Sequence, residues 1–304
     1  MLTHLLAHLL LLFVLPPLLA GVIARTKAVI AGRRGAPLLQ LYFDLWKLFR
    51  KGMVISSTTT WVFRAGPVIG LAVPVLASLF IPMGGIRAPI SFAGDLILFV
   101  YLFGLARFFT VLAALDTGSS FEGMGAAREV TFSCLAEPTI FVIFIVLARI
   151  SGSFSLDPML DSLQNHIAHP EAGVPLLLAG VCLFVVLLAE NCRIPFDDPN
   201  THLELTMIHE VMVLDHSGPD LALILYGAAM KFLVMGAVLV SFIMPPHPAS
   251  WFMETAAFTS GLLLLAVVVG LVESAMARLR LIRVPQLLVG TSLLSIFALV
   301  LLLR

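Results

Sequence analysis

The chain has 304 residues, 60% of them hydrophobic and 12% charged, and its 18 basic and 18 acidic residues cancel. A soluble domain carries about 25% charged residues, so a mean hydropathy of +1.06 excludes a water-soluble fold, and the zero net charge gives no nucleic-acid signal. The cysteines, Cys134, Cys182 and Cys192, form no CxxC pair; this argues against an iron–sulfur cluster or c-type haem held by the chain itself.

A spanning helix needs about 20 mostly apolar residues. Continuous apolar runs predict eight, over 4–24, 66–83, 94–115, 130–150, 173–190, 220–244, 254–276 and 284–303. A transmembrane barrel would show alternating ten-residue strands instead. The expected fold is therefore all-α, a polytopic membrane domain over 1–304. The first run lacks a basic flank before it and is followed by Arg25, Lys27, Arg33 and Arg34. That order is opposite to a signal peptide and predicts a retained helix.

Between the first two spans, Gln40, Asp44, Lys47 and Lys51 recur at i, i+4, i+7 and i+11, with Leu and aromatic residues elsewhere. This predicts an amphipathic helix over 37–51, either lying in the cytoplasmic membrane interface or simply connecting two spans. The 25–65 segment holds eight Lys and Arg residues, and 277–283 holds Arg278, Arg280 and Arg283. The segments 151–172 and 245–253 hold none. The positive-inside rule then places 25–65 in the cytoplasm and both termini on the opposite side.

Charges inside spans are expensive and face the bundle interior or a hydrated cavity. Five stand out: Arg107, Glu137, Glu190, Lys231 and Glu273. Lys231 lies eleven residues beyond Asp220, roughly 16 Å into its helix. It calls for an ion pair with a carboxylate such as Glu137 or for a proton-relay role. Glu129, Ser133 and Glu137 recur every four residues, which puts them on one helix face, and Pro138 would loosen the helix beside Glu137. The densest polar segment runs from Glu190 to Asp220 and includes Arg193, Asp197, Asp198, His202, Glu204, His209, Glu210, Asp215 and His216. It is either a solvated loop, a docking surface or a carboxylate proton path. No metal-site, phosphate-loop, dinucleotide or catalytic-triad pattern appears, so neither a metal nor a catalytic residue is expected here.

The segment Glu190-Asn191-Cys192-Arg193-Ile194-Pro195-Phe196-Asp197, followed by Glu204-Leu205, resembles the third cytoplasmic loop of respiratory complex I subunit 1, the bacterial H subunit. Arg33-Arg34-Gly35 with Pro37, Gln40, Tyr42, Asp44 and Lys47 is similar to the segment after that family's first helix. Leu115-Asp116-Thr117-Gly118-Ser119, Gly125 to Glu129 and Glu137-Pro138 resemble its second loop and fourth helix. Asp215-His216-Ser217-Gly218 and Glu273-Ser274 through Arg280 lean toward one branch, the membrane subunits of formate hydrogenlyase and hydrogenase-4-type (group 4) nickel–iron hydrogenases. The sequence departs from the wider family at Asn200 and His202, where further glutamates are usual, and at His209 and Glu210, which replace a Gly-containing turn.

The resemblance implies an anchor and coupling subunit in a prokaryotic inner membrane, without a cofactor of its own. The nickel–iron centre and iron–sulfur clusters would reside in partner large and small subunits, and antiporter-like membrane subunits would carry protons or sodium. Glu129, Glu137, Glu190, Glu204, Glu210, Lys231 and Glu273 are the expected ion path, with Arg107, Arg128 and Arg193 as charge partners. Arg33, Arg34, Asp44, Asp116, Pro195, Phe196, Asp197 and Asp215 are the expected contacts to the peripheral arm. A quinone-chamber subunit of a complex I relative, a stand-alone secondary transporter and a purely structural anchor with no part in ion movement are the alternatives.

Overall fold

A computed structural model describes residues 2–166, 170–197, 207–244 and 250–303. Eight of its helices are long and apolar enough to cross a membrane. They are α1 (Leu2–Ile30), α3 (Trp61–Ser78), α4 (Asp95–Asp116), α5 (Ser120–Ser151), α7 (Pro170–Glu190), α9 (Gly218–Ile243), α10 (Trp251–Ala275) and α11 (Arg283–Leu303). Three others do not span: α2 (Gln40–Phe49), α6 (Leu156–His166) and α8 (His209–Met212). The chain is thus an all-α, multi-pass membrane protein. Large apolar side chains such as Leu10, Phe108, Leu177, Leu264 and Leu293 face outward, as lipid-facing positions require.

Helix α9 occupies the middle, packed by α1, α2, α3, α6, α7 and α10. Two thirds of its apolar window is buried, 67%, against 22% for α11 at the edge. A Cβ added at Gly227 would lie 2.6 Å from the carbonyl oxygen of Gly70. The α3–α9 crossing therefore requires glycine at that point, the small-residue approach that membrane helices use. Lys231 is one turn further along α9.

Three boundaries differ from the hydropathy pattern. The second span begins at Trp61 because Thr60 caps it, accepting from the Val62 N–H at 3.3 Å. Thr60 is itself held by Asp116 at the end of α4, through its N–H at 2.6 Å and its hydroxyl at 3.0 Å. Helix α5 starts at Ser120, ten residues before the predicted 130. Its first turns bury Glu122, Gly125 and Ala126 against α8 instead of forming a loop. The Lys- and Arg-free stretch 151–172 contains α6, whose Leu156, Met159, Leu160 and Leu163 form a buried stripe at helical spacing. Asp95 ties that helix down, accepting from the Ser155 hydroxyl at 2.7 Å and from the Leu156 N–H at 2.8 Å.

The predicted amphipathic helix forms over 40–49 with Phe43, Trp46 and Phe49 exposed and Leu45 buried. It lies along α1, with the carbonyl of Leu38 against Gly21 and the Tyr42 hydroxyl donating to the carbonyl of Val14. Pro16 and Pro17 interrupt the α1 ladder. Pro17 has no N–H for the carbonyl of Phe13 four residues earlier; the Tyr226 hydroxyl from α9 donates to that oxygen at 2.6 Å. Tyr226→Phe should leave the carbonyl unpaired and cost about 1–2 kcal/mol. Thermal unfolding in detergent should show a clear drop in Tm that the exposed control Tyr101→Phe does not.

Candidate functional site

The spans do not end level at the end of the bundle that carries the 25–65 segment, here called the basic end. Helix α7 stops at Glu190, yet Glu190 pairs with Arg107, nine residues inside the end of α4, and with Lys231, thirteen residues inside α9. At 1.5 Å per residue, α4 and α9 run on by about 14 and 20 Å beyond this level. The space left above α7 holds the charge network and is bordered by residues from 191–192 and 209–216.

Arg107 is the hub. Its Nη2 bonds Glu190 at 2.5 Å, its Nη1 bonds Glu137 at 2.5 Å, and its Nε lies 3.3 Å from Glu129. Glu129 and Glu137 are two turns apart on one face of α5, as their spacing predicts, and the guanidinium fits between them. Ser133, the residue between, donates to the carbonyl of Glu129 at 2.6 Å and does not join the charges. Lys231 binds Glu190 at 2.9 Å, so the lysine's partner is Glu190 and not the predicted Glu137. Helix order decides this: α9 packs on α7, and Arg107 already holds Glu137.

Three cavities touch this network, of about 20, 110 and 20 Å³. Arg107 and Glu190 line all three. The largest has room for several waters and is walled by α3, α4, α5, α9 and residues from 191–192 and 209–216. The Glu190 side chain is 3% exposed, whereas that of Glu137 is 41% exposed. The network thus runs from an internal cavity to a partly exposed carboxylate.

A second network is separate. Glu273 of α10, its side chain fully buried, pairs with Lys27 of α1 at 2.8 Å and with Arg193 at 3.4 Å. Lys27 is not among the predicted site residues, because in the sequence it reads as part of the basic tail of α1. A third contact joins Asp197 to Arg278 at 2.9 Å. The other oxygen of Asp197 accepts from the N–H groups of Ile208 and His209 at 2.9 and 3.2 Å. Among the described residues, Glu190 and Glu273 of the predicted path thus lie in two different ion networks.

The turn after α7 sets these directions. The Cys192 N–H bonds the Ala189 carbonyl and the Arg193 N–H bonds the Leu188 carbonyl. Cys192 has φ +49°, so this is a Schellman cap with cysteine in the place glycine favours. Burial pushes the Cys192 thiol well above its ordinary pKa, so it stays protonated.

Several predicted docking residues make contacts within the chain. Pro195, Phe196 and Asp197 are buried within the chain, and the Asp116 carboxylate is occupied by Thr60. Asp44, half-buried, accepts from Gln40 at 2.9 Å. Arg33, Arg34 and Asp215 are exposed. Arg128 donates to the carbonyl of Met207 at 2.8 Å. Glu210 is half-buried in α8. Glu204 lies outside the described residues, as do Asp198 and His202.

Residues 3–303 match the family model described as NADH dehydrogenase. The chain belongs to this family. It is 33% identical to formate hydrogenlyase subunit 4 of Escherichia coli over 291 residues, 91% of each chain. It is also 33% identical to hydrogenase-4 component C of Escherichia coli, over 90% of this chain and 87% of that one. The NADH-ubiquinone oxidoreductase chain 1 of Papio hamadryas is 27% identical over 80% of this chain and 74% of its own length. Among solved structures, a chain of the archaeal membrane-bound sulfane sulfur reductase has the same fold, with a TM-score of 0.83 at 22% identity over 99% of both chains.

Removing the hub should be severe. Arg107→Leu leaves Glu129 and Glu137 without their cation and Glu190 with Lys231 alone, and is expected to cost about 3 kcal/mol. Adding Glu190→Gln should recover part of that loss in a double-mutant cycle read by thermal unfolding. A second expectation concerns pH. Burial lowers the His216 imidazole from its ordinary value to about 4. As pH falls from about 6.5 toward 4 the unfolded chain takes the proton first, so stability present above 6.5 is lost. His216→Phe should flatten that part of the stability–pH profile.

Proposed function

We propose that the chain is the membrane-anchor and coupling subunit of an energy-converting nickel–iron hydrogenase complex of the formate hydrogenlyase type. Two relatives that it matches at 33% identity over nearly its whole length are formate hydrogenlyase subunit 4 and hydrogenase-4 component C. It carries no redox centre of its own. Its partners are a large subunit with the nickel–iron centre, a small subunit with iron–sulfur clusters, and antiporter-like membrane subunits. The basic end faces the cytoplasm of a prokaryote, both termini face the other side, and exposed Arg33, Arg34 and Asp215 meet the peripheral arm.

One observation carries the coupling role: an unbroken ion network links the cavity at the basic end to the part-exposed Glu137. Glu190 is shared by two cations and sits at the root of the 191–217 segment. When redox chemistry in the arm shifts that segment, Glu190 loses one of its cations. Losing a nearby positive charge raises a carboxylate's proton affinity, so Glu190 takes a proton from the cavity. When the contact re-forms, the proton leaves through Glu137 toward the neighbouring membrane subunit. Glu129 steadies Arg107 while Glu190 is away.

The test is the assembled complex. Glu137→Gln and Lys231→Ala should each leave dye-linked hydrogenase activity of the arm in place and lower hydrogen-linked ion pumping at least tenfold. Wild-type pumping in both variants would remove these residues from the path. Purification without a nickel-bearing partner would overturn the hydrogenase assignment, and a bound quinone would favour the quinone-chamber reading.

A further inference from the structure

His216 precedes α9 and is 5% exposed. Its ring stacks on Phe63 of α3, with centroids 3.9 Å apart and planes 10° apart. Both flanks are pinned. The Asp215 N–H donates to Glu122 at 3.1 Å, and the Ser217 hydroxyl accepts from the Val54 N–H at 3.3 Å. The ring is therefore held in one place, where it lines the 110 Å³ cavity together with Glu129, Glu190 and Lys231. Its Nδ1 is buried without a hydrogen-bond partner among the described residues.

That arrangement is a poor use of a histidine if only packing matters. A buried polar atom without a partner is destabilising, whereas a phenylalanine would stack on Phe63 without that penalty. An imidazole does what a phenyl ring cannot: it accepts a proton on one nitrogen and releases one from the other. We propose that His216 is a proton-transfer residue at the cavity wall, carrying protons between the basic-end surface and the water beside Glu190. The role rests on the coupling function proposed above. In each transfer one ring nitrogen gains a proton from water and the other loses one to water, and a half-turn of the ring about Cβ–Cγ, which returns it to its stack on Phe63, restores the starting tautomer. The charge of the chain is unchanged after each cycle.

The surroundings fit a carrier that rests neutral. Arg107 and Lys231 already place two cations on the same cavity, opposed by Glu129 and Glu190. His209 of α8 lines it as well. Arg64 follows Phe63 on α3, Asp220 lies in the first turn of α9, and Asp215 and Glu122 form the flank. Burial holds the imidazole near 4, so no third cation persists there between transfers.

Two measurements on the intact complex test this. His216→Phe keeps the stacking ring and removes both nitrogens; His216→Gln keeps a polar group that does not shuttle protons. Both should retain the arm's dye-linked hydrogenase activity and lose at least tenfold in ion pumping. Wild-type pumping by His216→Phe overturns the proposal. If the variants do not assemble, deuterium exchange at the imidazole C2 position of the unaltered complex decides, read by mass spectrometry. His216 should exchange at least tenfold faster than His8, which is fully buried in α1; exchange as slow as that of His8 places it in a dry site and overturns the proposal. A complex without a nickel-bearing partner would sink the hydrogenase reading while leaving the exchange result standing, so the two failures are distinguishable.

Discussion

One guanidinium among three carboxylates fixes the arrangement of this bundle. Arg107 draws Glu129 and Glu137 of α5 and Glu190 of α7 to a single point on α4. With Lys231 the group holds two cations and three carboxylates, one negative charge in excess when all are ionised. Arginine suits the position because its planar fork presents several N–H groups in fixed directions; a lysine ammonium is a point charge on a flexible stem. The contact also sets the level at which α7 ends relative to α4 and α9. From that mismatch come the cavity and the wall that His216 completes.

The segment after α7 distributes its charges with equal economy. Glu190, Arg193 and Asp197 are three and four residues apart, and each enters a different network. The Schellman cap at Cys192 turns the chain between the first two. A displacement of this short stretch is therefore felt at once by α4 and α9 through Glu190, by α10 and α1 through Glu273 and Lys27, and by Arg278. Carboxylates that would read as a single file in the sequence are instead stations on different helices, joined by backbone and not by a continuous row of side chains.

The spans were legible because continuous apolar runs of this length have one physical explanation, and the Glu129–Ser133–Glu137 spacing correctly put two carboxylates on one face. The early start of α5 was not legible: residues 120–129 are polar enough to read as a loop, and only packing against α8 keeps them helical. Helix α6 was hidden because its buried stripe occupies eleven residues, too few to register as a span. The partner of Lys231 depends on which helices are neighbours, which hydropathy does not encode. His216 passed as one more polar residue in an acidic stretch. What singles it out, a buried nitrogen and a stacked ring, exists only after α3 and α9 have come together.

Stability alone does not account for the Arg107 network. Replacing buried ion clusters with apolar side chains of similar size is often neutral or stabilising, and a membrane bundle can pack well with leucine at such positions. The same charges are expected where water and protons must cross otherwise apolar material. Here the three cavities meet at Arg107 and Glu190, the most buried pair of the network, while Glu137 remains part-exposed at its other end. A purely structural cluster gains nothing from lying between cavities, since water on either side weakens its attractions. The coupling role proposed above would use that position, since parting the pair leaves a protonatable carboxylate in contact with water. The unequal helix lengths place the pair at that junction, and this geometry supports assigning the coupling step to Glu190 over the outer carboxylates.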